Sequence, residues 1–154
     1  MSHYETVALG GTFDIIHKGH MALLTKAFLI SSHAIIGLAG DELVAKKGKN
    51  LINNYSKRLE SLTSTIQQHF PNSSYTISKL ENDFGPAAIE GKVDALVVSE
   101  ETSNKGDILN NLRQKRNLPL VDVVIVPMVL AEDGSRISTT RIKKSEIDQE
   151  GNLS

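Results

Sequence analysis

The stretch that decides the fold is residues 8–20, Ala-Leu-Gly-Gly-Thr-Phe-Asp-Ile-Ile-His-Lys-Gly-His. An apolar strand over residues 4–9 runs into Gly10 and Gly11, where we expect the backbone to turn tightly and to approach a ligand, since no Cβ intervenes. A helix is predicted to begin near His17, and its first N–H groups have no partner within the helix. Together with the positive end of the helix dipole, these N–H groups make a seat for a polyphosphate.

Two histidines occupy the first turn of this predicted helix. His17 and His20 are three residues apart, so their side chains lie on the same face. Such a pair can also bind a metal ion, but no third histidine or carboxylate motif accompanies it, and the preceding glycines favour phosphate. Asp14 is either a solvated turn residue or, as we expect, the cap of the helix N-terminus.

The composition is that of an ordinary globular domain. The 154 residues fit a single domain over 1–154, with a short polar tail over 148–154. A formal net charge of −1 provides no basic field, so neither nucleic acid nor a membrane is expected as a partner. The absence of cysteine excludes disulfides and thiolate chemistry. No signal-like segment or membrane-spanning apolar run is visible, and we expect a cytoplasmic protein.

Apolar strands and helical periodicity alternate along the chain. This alternation predicts an α/β fold, a single Rossmann-like domain in which a five-stranded parallel sheet carries helices on both faces. Ligands bind such sheets at the carboxyl ends of the strands, where the strand order reverses. The predicted strands cover 4–9, 33–39, 74–80, 94–98 and 120–129. The predicted helices cover 17–31, 55–70, 99–116 and 139–145. Residues 40–54 are expected to form a mobile loop after a short helical turn, and residues 83–91 a second loop.

Two motifs carry a resemblance to a known family. Residues 10–20 resemble the first signature of the HxGH nucleotidyltransferases, and residues 137–142, Ile-Ser-Thr-Thr-Arg-Ile, resemble the second. Because the motifs bracket nearly the whole chain, the resemblance covers a complete catalytic domain. Residues 84–86, 97–102 and 145–148 look like those of archaeal phosphopantetheine adenylyltransferases, which transfer AMP from ATP to 4′-phosphopantetheine and release pyrophosphate.

The resemblance implies a role for each motif residue. His20 is expected to stabilise the transition state at the α-phosphate, and His17 to bind the triphosphate, while Gly19 leaves room for the nucleotide. The implied catalytic residues are Thr12, His20 and Lys46. The implied substrate-binding residues are Thr12 and Lys46, with Lys47 as the alternative. The implied nucleotide-binding residues are Gly10, Gly11, Thr12, Phe13, His17, Gly19, His20, Ser138, Thr139 and Thr140.

The same resemblance implies the cofactor and the partners. Mg²⁺ is expected to bind mainly through the ATP phosphates, with no metal ligands assigned to the protein. ATP and 4′-phosphopantetheine are the expected substrates, and relatives suggest a monomer or a small homo-oligomer. Arg58 matches a recurrent family arginine, although a salt bridge on a helix surface explains it equally well.

The chain departs from the bacterial form of the enzyme after the fourth predicted strand. Bacterial members carry Arg-Gly-Leu-Arg there, whereas residues 99–102 of this chain are Ser-Glu-Glu-Thr. Two arginines that contact nucleotide are therefore missing. The candidates to replace them are Arg113, Arg136 and Arg141.

Other functions stay open at this point. A glycerol-phosphate-type cytidylyltransferase or an FAD synthetase carries the same first motif, but cytidylyltransferases typically place Arg-Thr-Glu-Gly before the second motif, where this chain has Glu-Asp-Gly-Ser-Arg over 132–136. A non-catalytic nucleotide-binding module is the third possibility. Both histidines are retained, which argues against it.

Overall fold

The computed structural model describes residues 4–48, 50–82, 84–85 and 91–127 of the chain. Within these ranges strands and helices alternate as predicted. In chain order they are β1 (Tyr4–Gly11), α1 (Lys18–Ile30), β2 (Ser31–Ala39), α2 (Asp41–Lys46), α3 (Tyr55–His69), β3 (Tyr75–Leu80), β4 (Ala95–Ser99), a 3-10 helix (Glu100–Thr102), α4 (Asn104–Lys115) and β5 (Asp122–Val126).

The strands form one parallel sheet of five strands in the order β3-β2-β1-β4-β5. The chain therefore winds outward from β1 in one direction and later returns to add β4 and β5 on the other side. The order reverses between β1 and β4, and in sheets of this kind ligands bind at that point, beyond the carboxyl ends of the strands. The predicted doubly wound α/β fold is confirmed.

Successive residues of each central strand point to opposite faces, and each face has its own core. Val7 and Leu9 of β1 belong to the core formed with α1 and α3, whereas Ala8 between them belongs to the core formed with α4. Both faces of the sheet are thus covered by helices, as the continuous apolar strands predicted. The helix residues buried on the two faces include Leu24, Ala27, Leu62 and Ile66 on one side and Leu109 on the other.

Several predicted boundaries differ from the observed ones. β2 begins at Ser31, directly after α1, whereas the sequence pattern placed its start at His33. The predicted helix over 99–116 is divided, because a 3-10 helix precedes α4. Within α4, Leu109 takes the buried position, whereas its neighbour Ile108 is 45% exposed.

Some predictions fall outside the described residues. The turn over 132–135, the final helix over 139–145 and the tail over 148–154 belong to this group, as does the loop segment around Pro86. Among the helices that are described, none combines the length and apolar character needed to cross a bilayer.

Candidate functional site

The site lies where β1 ends and α1 begins. Gly10 and Gly11 do not form the tight turn that the sequence suggested, because both continue β1 and pair with Gly37 and Leu38 of β2. The chain turns instead at Phe13, which has a φ of 49° in the left-handed region that non-glycine residues rarely adopt. Gly10 is nevertheless exposed, so its backbone is accessible at this edge of the sheet.

The two motif histidines cap α1 by reciprocal hydrogen bonds. His17 is the N-cap residue, and its Nδ1 accepts the backbone N–H of Gly19 at 3.1 Å. The Nδ1 of His20 accepts the backbone N–H of His17 at 3.2 Å. This is a capping box in which imidazoles take the places usually held by a serine or threonine and a glutamate. Two N–H groups that the helix leaves without partners are thereby satisfied.

These hydrogen bonds fix the tautomer of each ring. A neutral imidazole carries one proton, and a nitrogen that accepts a hydrogen bond cannot hold it. Since Nδ1 is the acceptor in both His17 and His20, each ring carries its proton on Nε2. An Nε2–H group can donate a hydrogen bond to a phosphate oxygen, and the backbone carbonyl of Ile15 is a further acceptor for the His20 ring.

Burial keeps both rings neutral. The His17 side chain is 9% exposed, and this burial lowers its pKa to about 4. Burial likewise lowers the pKa of His20 to about 3, reinforced by the nearby His17 and opposed by the backbone carbonyl of Ile15. The two rings stack with centroids 3.9 Å apart, an arrangement that a second positive charge would disfavour.

Phe13 packs against the ring of His20. Its side chain is 1% exposed, and its ring centroid lies 4.8 Å from that of His20. The phenyl ring is therefore a packing surface for the imidazole, and only the Phe13 backbone is left for the nucleotide contact that the family resemblance implied. The left-handed φ at this residue is what turns the ring inward beneath the helix start.

Gly19 lies in tight contact with the His17 ring of the cap. A Cβ at this position would lie 3.0 Å from Cε1 and 3.1 Å from Nδ1 of His17, closer than side chains normally approach. The absence of a side chain lets the His17 ring fold over the first turn and accept the Gly19 N–H. Gly19 thus leaves room for the imidazole, and the expectation that it also leaves room for a nucleotide stays a prediction.

Asp14 does not cap α1, and the expectation that it would is wrong. Its carboxylate accepts the backbone N–H groups of Ile52 and Asn53, both at 2.9 Å, and its carbonyl accepts the Asn53 side-chain amide at 3.0 Å. The carboxylate is 4% exposed and is satisfied by these bonds. Asp14 therefore ties part of the loop over 40–54, which the sequence suggested would be mobile, to the turn after β1.

Of the four arginines considered from the sequence, Arg136 and Arg141 lie outside the described residues, and the other two are buried. Arg58 is fully buried and donates to the carbonyls of Thr12 and Ala39, so a salt bridge confined to the helix surface does not describe it. Arg113 is 3% exposed and donates to the carbonyls of Pro119 and Gly91, which precede β5 and β4. Arg113 thus lies at the amino ends of the strands, opposite the site, and does not replace the bacterial arginines.

A groove adjoins the carboxyl edge of the sheet beside α2. It has a volume of about 360 Å³, and one side carries the lysines at the end of α2. Both Lys46 and Lys47 line it, so the structure brings both sequence candidates to the same wall without choosing between them. The complete lining is Leu43, Lys46, Lys47, Glu81, Asn82, Phe84, Ile108 and Leu112.

The remaining motif residues stand as follows. Thr12 directly follows β1, beside the histidine cap. Ser138, Thr139 and Thr140 lie outside the described residues, so their implied contact with the β- and γ-phosphates stays a prediction. Within the described ranges, no group of three or more histidine, cysteine, aspartate or glutamate side chains could hold a metal ion.

Comparison with known proteins defines the class. A family model described as cytidylyltransferase-like matches residues 8–145. Among solved structures, a protein of unknown function from Archaeoglobus fulgidus has a TM-score of 0.71 and 26% identity, and the alignment covers 79% of this chain and 88% of that chain. The chain thus contains a cytidylyltransferase-like domain over residues 8–145.

Curated relatives narrow the class to one family. A phosphopantetheine adenylyltransferase from Methanosarcina barkeri is 41% identical over 150 residues, which cover 96% of this chain and 91% of that protein. A phosphopantetheine adenylyltransferase from Methanothermobacter thermautotrophicus is 36% identical and covers 97% and 90%, respectively. The chain belongs to the phosphopantetheine adenylyltransferase family and is a nucleotidyltransferase.

The contact between Gly19 and His17 predicts the effect of Gly19→Ala. The new methyl group displaces the His17 ring, and kcat/KM for nucleotidyl transfer should fall about tenfold or more, since misplaced catalytic groups are costly. Stability should change little, because alanine improves helix propensity by about 1 kcal/mol, and loss of the cap costs about as much. Steady-state kinetics and thermal unfolding measure both effects. The neighbouring exposed residue provides the control Lys18→Ala, and a Gly19→Ala enzyme with parental kcat/KM would contradict the role of the cap.

The lowered histidine pKa values predict how stability depends on pH. In the unfolded chain each histidine has a pKa near 6.5, whereas the folded values are about 4 and about 3. The unfolded state therefore binds more protons as the pH falls below about 6.5, and the free energy of unfolding decreases towards pH 4. Each ring contributes a slope of at most about 1.4 kcal/mol per pH unit.

Urea unfolding between about pH 7.5 and pH 5, within the range where a histidine titrates, measures this slope. The matched variant combines His17→Asn with His20→Gln, which retain hydrogen-bond acceptors at the two cap positions but do not titrate. Its free energy of unfolding should vary less steeply with pH than that of the parent. Equal slopes in the two proteins would show that the rings do not remain neutral in the folded state.

Proposed function

We propose that this enzyme transfers AMP from ATP to 4′-phosphopantetheine, giving dephospho-coenzyme A and pyrophosphate. The observation that carries the proposal is the pair of Nε2–H donors that His17 and His20 hold at the start of α1. The names of the curated relatives support the choice of acceptor and of nucleotide. In this reaction a phosphate oxygen of the acceptor attacks the α-phosphorus of ATP. The bond from that phosphorus to the oxygen that bridges the α- and β-phosphates breaks, and pyrophosphate leaves.

The chemistry suits neutral imidazoles. A phosphate monoester is already an anionic nucleophile at neutral pH, so the reaction requires no general base. What it requires is positioning of the two phosphates and stabilisation of the negative charge that spreads over the α-phosphoryl oxygens. Preorganised Nε2–H donors supply that stabilisation without changing protonation state, and the pKa values of about 4 and about 3 keep them as donors at neutral pH.

The groove beside α2 is the proposed seat for the acceptor. Phosphopantetheine joins a charged phosphate to an extended arm with methyl and amide groups. Lys46 and Lys47 offer cationic partners for the phosphate, while Leu43 and Phe84 offer apolar contacts for the arm. Thr12 is the proposed hydroxyl donor to the acceptor phosphate as it approaches ATP.

Mg²⁺ is the proposed cofactor, bound through the phosphates of ATP. The residues of the site fit such a cation only indirectly, because the histidines present N–H donors and the Asp14 carboxylate is already bonded to backbone N–H groups. When bound, the cation would neutralise part of the phosphate charge. The proposal also includes a cytoplasmic enzyme that is a monomer or a small homo-oligomer.

The function is tested by pyrophosphate release from each pair of nucleotide and acceptor. We expect turnover with ATP and 4′-phosphopantetheine, and little with CTP, with glycerol phosphate or with FMN. His20→Gln retains an acceptor for the helix cap but replaces the fixed ring Nε2–H by an amide donor on a flexible side chain. We therefore expect kcat to fall about 10²-fold or more, as when one preorganised donor is lost elsewhere.

Two results would contradict this function. Turnover with CTP and not with ATP would favour a cytidylyltransferase. ATP binding without turnover of any acceptor would favour a non-catalytic nucleotide-binding module. Parental kcat in His20→Gln would leave the reaction intact but reject the role assigned to the imidazole.

A further inference from the structure

Arg58 is the largest fully buried side chain among the described residues, and it carries a charge. It stands on α3, close to its start, and not on any strand end or loop that forms the site. Burying a guanidinium is unfavourable unless its N–H groups are bonded and its charge is compensated. The partners of this side chain therefore indicate what the burial achieves.

The guanidinium joins the segments that meet at the carboxyl edge of the sheet. Nη1 donates to the carbonyl of Thr12 at 2.9 Å and to the carbonyl of Ala39 at 2.7 Å. Nε donates to the carbonyl of Asn53 at 3.2 Å. One planar group thus fixes the turn after β1, the end of β2 and the loop before α3.

The charge is compensated at one point. Nη2 donates to Oδ1 of Asp41 at 2.8 Å, and the Asp41 side chain is 51% exposed. This hydrogen bond is the first cause of the lowered pKa of the Asp41 carboxyl. Because Asp41 is the first residue of α2, the ion pair also fixes the start of the helix that carries Lys46.

The bond to Thr12 has a consequence for the histidine site. The Thr12 carbonyl and the Phe13 N–H belong to the same peptide plane, so a hydrogen bond that holds the carbonyl also restrains φ of Phe13. That angle is 49°, a value that persists only where surrounding contacts enforce it. The Phe13 ring, placed by this turn, then packs against His20.

We propose that Arg58 is a positioning residue, whose buried guanidinium fixes the turn after β1 through the Thr12 carbonyl and thereby places His20 for nucleotidyl transfer. The inference rests on the proposed function, since it assigns Arg58 a role in that reaction. Lysine cannot replace it, because an ammonium group is a compact point charge and lacks the planar fork that reaches three carbonyls and a carboxylate at once.

The test is a double-mutant cycle on kcat that combines Arg58→Lys with His20→Gln. The substrates are ATP and 4′-phosphopantetheine, and the temperature is one at which circular dichroism shows each variant to be folded. Alone, Arg58→Lys should lower kcat about tenfold or more, as expected for a displaced catalytic group. In the His20→Gln background the same substitution should change kcat by about twofold at most, because the contribution that Arg58 places is already absent.

Arg113→Lys is the matched control. It also alters a buried arginine that donates to two backbone carbonyls, but at the opposite end of the sheet. Any loss of stability should resemble that of Arg58→Lys, whereas its effect on kcat should be small and the same in both backgrounds. If Arg58→Lys does not fold, Asp41→Asn takes its place in the cycle, because it loosens the guanidinium while leaving the arginine present.

The outcomes separate the inference from the function. If Arg58→Lys lowers kcat by the same factor in the parent and in His20→Gln, the positioning role is overturned while the proposed function stands. Parental kcat in a folded Arg58→Lys enzyme would do the same. A parent protein without adenylyl transfer would overturn the proposed function, and this inference with it.

Discussion

The reciprocal hydrogen bonds between His17, His20 and the first turn of α1 are the constraint on which the site depends. They satisfy two N–H groups that a helix start otherwise exposes, and in doing so they select the Nε2–H tautomer of both rings. A requirement of helix capping is met by the Nδ1 atoms, and a requirement of phosphate chemistry by the Nε2–H groups, of the same two rings. The motif spacing follows from this, because the N-cap residue and the third helical residue are the positions that a capping box uses.

Near this cap, two buried polar side chains hold the loop backbone in place by hydrogen bonds. Asp14 lies in the turn after β1 and Arg58 lies on α3. Both bind Asn53 of the loop before α3, whose N–H donates to the Asp14 carboxylate and whose carbonyl accepts from Arg58 Nε. Neither side chain is stabilising simply because it is charged, since burial of charge is costly. Their value lies in fixing the left-handed turn at Phe13, against which His20 packs.

The sequence was sufficient for the parts of the structure that depend on local pattern. Apolar runs and helical periodicity predicted the five strands and the helices on both faces, and the spacing of the two histidines placed them on one helical turn. It could not reveal which side chain caps α1, because Asp14 is drawn away by N–H groups 38 and 39 positions distant. The tight turn expected at Gly10 and Gly11 is wrong for a similar reason, since their pairing with β2 extends β1 through them. The burial of Arg58 likewise depends on carbonyls brought together only by the fold.

The state of the two imidazoles is measured most directly by ¹⁵N nuclear magnetic resonance of the histidine rings during a pH titration. His17 and His20, assigned by their loss in His17→Asn and His20→Gln, should both show a protonated Nε2 and an unprotonated Nδ1 at neutral pH. Both should keep this pattern to about pH 5, well below the ordinary histidine pKa near 6.5. A ring that carries its proton on Nδ1, or that titrates near its ordinary pKa, would contradict the view that the helix cap prepares these side chains to bind phosphate.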